Sequence, residues 1–164
     1  MTSTNTLSDS IRTLLKTTGF AVLATESAGQ PHTSLVAITP LDEGHRLVFA
    51  TYRNTRKFTN LLKNQRVSML MDGRNRKGAD GVPDGFVLSA VGQVQEVSAA
   101  GHPESLATHL AKHPDLTIFM QAPDCVLLEM QVQAYQVVRG IDDVCWWCLD
   151  DLKEAPPCPQ PQGQ

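Results

Sequence analysis

Aromatic side chains are scarce in this sequence, and the scarcity argues against one class of function. Phe, Trp and Tyr together make up 5% of the residues, and the formal net charge is −3. Proteins that bind single-stranded nucleic acid use aromatic rings as stacking platforms and a basic surface to match the phosphate backbone. A small β-barrel that binds nucleic acid fits this composition poorly, and we expect no nucleic-acid partner.

Long apolar runs are missing as well. No stretch approaches the ~20 apolar residues that a membrane-spanning helix needs. The first residues, Met1 to Thr6, contain neither the basic start nor the apolar segment of a secretory signal peptide. The sequence therefore predicts a cytoplasmic protein with no membrane partner.

Cysteine occurs only four times, always in the last third of the chain, at Cys125, Cys145, Cys148 and Cys158. This is too few and too clustered for a fold held together by disulfides. Cys145 and Cys148 have the spacing of a redox dithiol or of half a zinc site, but no second pair completes a four-ligand set. Reduced thiols without a shared role are the simpler interpretation, and the role of the pair stays open.

The length of 164 residues and the hydrophobic content of 41% suit one domain with a sizeable core. We expect that domain to cover residues 1–154. The remaining residues, 155–164, are rich in Pro and Gln and have little apolar mass to order them. They are predicted to form a disordered tail.

Short β-prone runs separated by turn residues dominate the pattern. Strands are predicted at residues 20–25, 31–38, 46–51, 66–72, 86–97 and 125–138, with a bulge or bend at Gly92. Helices are predicted near residues 8–18, 55–63 and 101–113. About six strands and few helices indicate a mainly β protein, an antiparallel barrel that the segment 125–138 would close.

The third predicted helix carries His109 and His113 on one face. A histidine pair at i and i+4 is able to ligate a metal ion, but the adjacent carboxylate of the metalloprotease motif and a third ligand are missing. A surface helix is the favoured interpretation, and no metal is expected.

The most informative segment joins the third strand to the second helix. An apolar strand ends at Thr51, and after a polar turn the helix begins with Thr55, Arg56 and Lys57. Free backbone N–H groups and the positive end of the helix dipole favour an anion at such a place. The pattern fits either an ordinary capped helix with solvated cations or a phosphate-binding site.

The surroundings of this turn resemble a known family. The strand-Thr-x3-Thr-Arg-Lys pattern, with segments 29–38 before it and 64–72 after it, is similar to the FMN-binding split barrels of the pyridoxamine 5′-phosphate oxidase-like family. The resemblance runs from about residue 19 to 97 and more loosely through residues 125–138. It implies a mainly β fold with flanking helices, a six-stranded antiparallel Greek-key split barrel of the FMN-binding type.

The resemblance also implies a cofactor and the residues that hold it. In the family two subunits hold two FMN molecules at their interface, so we expect a homodimer with FMN in that position. The second strand would offer backbone groups to the flavin ring, Ala50 would lie beside the ring, and Thr51 would face the phosphate or ribityl chain. A clamp of Thr55, Arg56 and Lys57 would bind the phosphate. The expected cofactor-binding residues are Ser34, Leu35, Val36, Ala37, Ala50, Thr51, Thr55, Arg56 and Lys57.

A flavin carries its own redox chemistry, so no catalytic base is required, and no nucleophile with a paired base is evident. The resemblance implies an oxidoreductase that transfers a hydride or electrons through FMN, with a flavin or quinone as one conceivable substrate. The alternative is a non-catalytic FMN carrier or electron-transfer protein. The Arg-x-His element of the oxidase that names the family is missing, so activity on pyridoxamine phosphate is not expected. Catalytic residues, substrate and electron donor stay undetermined.

Two further questions stay open at this point. A deazaflavin would suit the same phosphate clamp, whereas haem would need an axial ligand such as His32 or His45. Trp146 and Trp147 either fill a subunit interface, which is the simpler interpretation, or stack near the partner's flavin.

Overall fold

A computed structural model of the chain describes residues 3–77, 81 and 85–149. Its helices are α1 (Ser3–Thr17), α2 (Arg56–Lys63), α3 (Pro103–Lys112) and α4 (Thr117–Gln121). Its strands are β1 (Phe20–Ser27), β2 (Gln30–Ala37), β3 (Thr39–Leu41), β4 (Arg46–Tyr52), β5 (Arg66–Asp72), β6 (Val87–Val97), β7 (Cys125–Gly140) and β8 (Asp143–Cys148). The predicted tail, residues 155–164, lies outside the described residues, as does Cys158.

All eight strands belong to one antiparallel sheet. Seven of them follow the order β2-β1-β5-β6-β7-β4-β3, and β8 pairs with β7 beside that path. The 16 residues of β7 make this arrangement possible, because the first half of β7 pairs with β4 and the second half with β8. The predicted mainly β fold with antiparallel strands and flanking helices is confirmed.

Two details of the predicted sheet are wrong. The described residues form eight strands rather than six, because β3 and β8 add to the six predicted ones. The sheet is also not closed by the segment 125–138: β7 lies in its interior, and β2 and β3 form the ends of the path among the described strands.

The predicted irregularity at Gly92 is confirmed. The register between β6 and β7 shifts between Val91 and Gly92, as a β-bulge requires. A Cβ atom at this position would collide with the carbonyl oxygen of Gln131 on β7. Glycine is therefore needed at this position, where the β7 backbone leaves no room for a side chain.

The sheet carries an apolar cluster on each face. The larger one includes Ile11 and Leu14 of α1 together with Leu47 and Phe49 of β4. Successive side chains of a strand point to opposite faces, so Val48 belongs to the second cluster. That cluster consists of Leu41, Val48, Val97 and Leu127, with Leu106 of α3 and Met120 of α4 packed against it.

The histidines of α3 face the interior and not the solvent. His109 is fully buried, and its Nδ1 lies 2.8 Å from the Thr39 hydroxyl on β3. His113 is also buried, and its Nε2 donates a hydrogen bond to the Ile38 carbonyl oxygen at 2.9 Å. On this helix the histidine pair thus has a structural part, because it fastens α3 to Ile38 and to Thr39 of β3. The described residues contain no group of three or more metal ligands.

Burial is the main reason that a charge on His109 is disfavoured. Burial, with smaller contributions from His113 and Lys112, lowers the pKa of His109 to about 4. Lys112 donates to the carbonyl oxygens of Leu15 and Thr18 at the end of α1, at 3.2 and 2.7 Å. Burial also lowers the pKa of the Lys112 ammonium group, to about 8. His109 is therefore neutral in the folded protein at neutral pH.

No helix among the described residues has both the length and the apolar character needed to cross a membrane.

The buried His109 predicts an acid-dependent loss of stability. An unfolded histidine takes up a proton near pH 6.5, whereas the folded His109 does so only near pH 4. Neutral His109 thus makes its full contribution to the free energy of unfolding above pH 6.5. As the pH falls towards 4, that free energy decreases by about 3 kcal/mol. In His109→Gln, the drop in unfolding free energy between pH 7 and pH 4 should shrink by that amount, measured by urea denaturation. His102→Gln, at the exposed start of the same helix, is the matched control; equal pH slopes in both variants would contradict the prediction.

Candidate functional site

The start of α2 is organised by two threonine hydroxyls. Thr55 is the N-cap residue, and its Oγ1 accepts a hydrogen bond from the Phe58 backbone N–H at 3.4 Å. The same hydroxyl donates to the Tyr52 carbonyl oxygen at 2.9 Å, and Thr51 Oγ1 lies 3.1 Å from it. Because Thr55 has a single hydroxyl proton, Thr51 is the donor in that pair. The contact fixes the end of β4 against the start of the helix.

Two cations occupy the first turn of this helix. Arg56 is exposed and Lys57 is half-buried. Neither forms an ion pair with a carboxylate of the described residues. Burial lowers the pKa of the Lys57 ammonium group, because the fold holds this charge partly away from water with no carboxylate to offset it. An anion at this place would offset that cost, and the backbone N–H groups of the helix start would donate to it.

Arg53, in the turn before α2, is neutralised instead. Its guanidinium group contacts both carboxylate oxygens of Glu96 on β6. The guanidinium carbon lies 5.4 Å from the centre of the Phe58 ring. The contact with Glu96 attaches the turn to β6. Of the three cations in this region, Arg56 and Lys57 are therefore the two that are available to an anion.

Asn60 is a positioning residue that the sequence pattern did not reveal. It lies on the buried side of α2, and its Nδ2 donates to the Thr25 hydroxyl on β1 at 3.0 Å. Both side chains are buried, so the bond holds α2 at a defined rotation on the sheet. The only available signal was a polar residue beside Phe58 and Leu61 on the apolar face of the helix.

The strand β2 brings an unpaired edge to this place. Among the described strands it pairs with β1 alone, so the backbone groups on its other edge have no strand partner there. It also lies against both β4 and α2. The elements predicted to surround the cofactor, β2, β4 and α2, therefore lie next to one another.

The side chains of β2 alternate between the two faces. Val36 is buried, and the hydroxyl of Ser34 is enclosed with no hydrogen-bond partner in the part of the chain that the structure describes. Leu35 points the other way and is 67% exposed. Ala37, at the end of the strand, is half-buried.

Ala50 and Thr51, both predicted site residues, place their side chains on opposite faces of β4. Thr51 faces Thr55, and its neighbour Ala50 must project to the opposite face of β4. That is the face on which Val48 packs in the second apolar cluster. Ala50 is thus placed to contribute backbone atoms, and not its side chain, to a ligand that Thr51 contacts.

The Cys145–Cys148 spacing does not create a dithiol. Both residues belong to β8, where residues three apart point to opposite faces and lie about 10 Å apart. A disulfide requires Cα atoms within about 7 Å. The structure therefore excludes a disulfide between these two cysteines in the folded strand.

Trp147 is a core residue. It is 2% exposed and belongs to the larger apolar cluster, so the two predicted positions, at an interface or over a flavin, are both wrong for its side chain. Trp146 is half-buried on the other face of β8.

Comparison with solved structures supports the fold. A heme binding protein from Mycobacterium smegmatis is similar with a TM-score of 0.74 and 18% identity, over 88% of this chain and 59% of that one. A Clostridium acetobutylicum protein related to general stress protein 26, of the pyridoxinephosphate oxidase family, has a TM-score of 0.68 and 15% identity. The match covers 90% of this chain and 98% of that one. A FAD-binding protein from Mesorhizobium loti has a TM-score of 0.60 and 16% identity, and the match covers 75% of this chain and 87% of that one.

At these identities the likeness establishes the fold alone. This chain also spans only about three fifths of the M. smegmatis protein. None of the curated proteins matches the sequence.

The family follows from the sequence itself. The family model described as pyridoxamine 5′-phosphate oxidase matches residues 7–139. This range extends from within α1 to the end region of β7, and so it contains β2, the end of β4 and the start of α2. The chain belongs to the pyridoxamine 5′-phosphate oxidase family.

Proposed function

We propose that this protein binds FMN and acts as an FMN-dependent oxidoreductase on a small molecule. The observation that carries the proposal is the pair of cations, Arg56 and Lys57, which no carboxylate of the described residues neutralises. They lie at a helix start beside the hydroxyls of Thr51 and Thr55. Membership of the family makes the terminal phosphate of a flavin the anion to expect.

The residues present fit a phosphate monoester. Arg56 is able to engage two phosphate oxygens with its planar donors, and Lys57 adds a point charge. Two positive charges match a phosphate that carries nearly two negative ones at neutral pH. The free N–H groups in the first turn of α2 point out of the helix start, where the positive end of the helix dipole also lies. Both favour a phosphate at this place.

The flavin ring would then extend from the phosphate along β2. The unpaired edge of Ser34, Leu35, Val36 and Ala37 offers alternating N–H and C=O groups, which complement the donors and acceptors of the pyrimidine portion of the ring. The backbone of Ala50 would lie next to the same ring. When bound, the flavin supplies the hydride or electron transfer, and these residues bind and orient it.

An exposed apolar row supports a homodimer. Val22 on β1 pairs with Leu35 on β2 and with Leu70 on β5, so the three side chains lie side by side on one face of the sheet. They are 38%, 67% and 41% exposed, and Phe20 on the same face of β1 is 56% exposed. A contiguous apolar patch of this kind marks an association surface. We propose that a second copy covers it and brings the flavin-binding strand β2 to the interface.

A non-catalytic flavin carrier is the alternative. It would need the same phosphate-binding site but no binding site for a substrate. Anaerobic mixing of the flavin-loaded protein with NADH or NADPH separates the two. A reductase loses its yellow absorbance rapidly, and a carrier does not.

The phosphate site predicts a large effect of removing both cations. Each charge-assisted hydrogen bond contributes roughly 1.5–3 kcal/mol, so Arg56→Ala with Lys57→Ala should weaken FMN binding by a hundredfold or more. Titration calorimetry measures the dissociation constant. The matched control is Lys63→Ala with Arg66→Ala, which removes two exposed cations, one at the last residue of α2 and one at the start of β5.

The control pair should bind FMN as the wild-type chain does. Equal affinities of wild type and the Arg56/Lys57 variant would contradict the phosphate assignment. A Soret band in the spectrum of the purified protein would point to haem instead.

The apolar row predicts that a charge at Leu35 prevents dimerisation. Leu35→Glu should convert the protein to a monomer in sedimentation velocity experiments, because burying the carboxylate against a second copy is costly. Ile141→Glu is the control, since Ile141 is 98% exposed in the turn between β7 and β8. A Leu35→Glu variant that sediments as the wild type does would show that another surface, or none, mediates association.

A further inference from the structure

A cavity of about 320 Å³ lies on the face of the sheet that α3 and α4 cover. Leu106 of α3 and Met120 of α4 pack against the second apolar cluster, and the cavity lies between these two side chains, the end of β6 and the start of β7. Its volume lies within the range of sites for small organic molecules. The cavity is therefore large enough for a ligand of its own.

The helices that form this cavity are held in place by contacts outside it. Tyr52, the last residue of β4, contacts Phe119 of α4 edge to face, with ring centroids 4.6 Å apart. Phe119 directly precedes Met120, so this contact fixes the wall that Met120 provides. The hydrogen bonds of His109 and His113 fix α3 in the same way. The cavity is therefore preformed, as small-molecule sites usually are.

The cavity is separate from the candidate phosphate site. The residues that line it do not include the phosphate-binding candidates Thr51, Thr55, Arg56 and Lys57. Thr51 also points to the face of β4 opposite Val48, and Val48 belongs to the apolar cluster beside the cavity. A ligand of this cavity therefore shares none of those side chains with the flavin phosphate.

The walls of the cavity are apolar and uncharged. Val97 and Leu127 are buried members of the second apolar cluster, and Leu106 and Met120 pack against it. Cys125 lines the same cavity, and burial raises the pKa of its thiol, so the thiol is protonated at neutral pH. Thioether sulfur packs favourably against aromatic rings. These walls suit an aromatic ring and disfavour an ionised group.

An ion pair supplies the charged groups of the rim. Arg53 donates through Nη1 and Nη2 to the two carboxylate oxygens of Glu96, and both side chains are partly exposed. The pair carries no net charge, so it favours neither an anion nor a cation in the cavity. Other N–H donors of Arg53 and other lone pairs of Glu96 are left by this contact. A hydroxyl group is able to accept from the former and donate to the latter.

The volume sets the size of the ligand. An engineered apolar cavity of about 150 Å³ binds benzene, so the volume found in this protein has room for two fused aromatic rings. We propose that the cavity binds a neutral two-ring aromatic alcohol, with the rings against Leu106 and Met120 and the hydroxyl group at the Arg53–Glu96 pair. This site is independent of the flavin, and the inference does not rest on the proposed function.

Equilibrium dialysis of the wild-type chain against three related compounds tests the chemistry of the site. 2-Naphthol has both the rings and the hydroxyl group, naphthalene lacks the hydroxyl group, and 2-naphthoate carries a negative charge in its place. 2-Naphthol should bind about tenfold more tightly than the other two, because its hydroxyl group pairs with the rim without adding a charge. Binding of naphthalene or 2-naphthoate as tight as that of 2-naphthol, or no binding of 2-naphthol, overturns the inference.

Glu96→Gln tests the part that the ion pair plays. The substitution leaves the charge of Arg53 unbalanced, so the affinity for 2-naphthoate should rise about tenfold relative to that for 2-naphthol. Glu104→Gln, at the exposed start of α3, is the matched control and should leave the ratio of the two affinities unchanged. If Glu96→Gln also leaves this ratio unchanged, the ligand does not lie at the rim and the inference is overturned.

Filling the cavity tests the location of the ligand. Leu106→Trp should remove most of the 2-naphthol binding, because the indole ring occupies the space of the ligand. Ala99→Trp fills the cavity from an exposed position and serves where Leu106→Trp does not fold. Ala107→Trp, on the exposed side of α3, is the control and should bind 2-naphthol as the wild-type chain does. Unchanged affinity in the filling variants overturns the inference.

The variant Arg56→Ala with Lys57→Ala separates this inference from the proposed function. It should bind 2-naphthol as the wild-type chain does, since neither residue lines the cavity. Loss of 2-naphthol binding in this variant would overturn the inference of a separate site. A wild-type chain that binds 2-naphthol but not FMN would support the inference and overturn the proposed function.

Discussion

The contact between the Thr51 and Thr55 hydroxyls fixes the place on which the functional account depends. It joins the end of a sheet strand to the start of α2, so the first turn of that helix projects from a rigid support. The Asn60–Thr25 hydrogen bond then fixes the rotation of the helix on the sheet. Two cations that no carboxylate of the described residues neutralises are thereby presented together, and an anion bound there would stabilise the half-buried ammonium group of Lys57.

The rest of the fold positions a second element next to these cations. The chain passes from β2 through β3 to β4, and α3 holds the connection through its hydrogen bonds to Ile38 and Thr39. Because β2 lies at one end of the sheet that the described strands form, the backbone groups on its outer edge have no strand partner there. A closed barrel would use that edge for hydrogen bonding between strands. The open sheet and the candidate site are thus consequences of the same topology.

Much of this arrangement could be predicted from the sequence, wherever a local pattern carried the information. The alternation in β5 located that strand, and Thr55 followed by Arg56 located the helix start. β3 has only three residues and contains a proline, so no alternation marked it. The inward face of α3 was missed because periodicity places His109 and His113 together without showing which side of the helix meets the sheet. The burial of Trp147 likewise depends on the strand pairing of distant segments.

A crystal structure of the protein grown with FMN tests the central claim most directly. The account predicts the phosphate group at the start of α2, with its oxygens within hydrogen-bonding distance of Arg56, Lys57 and the backbone N–H groups of the first helical turn, and the ring alongside β2. A flavin whose phosphate lies away from this helix start, or crystals with no flavin in spite of saturating FMN, would contradict it.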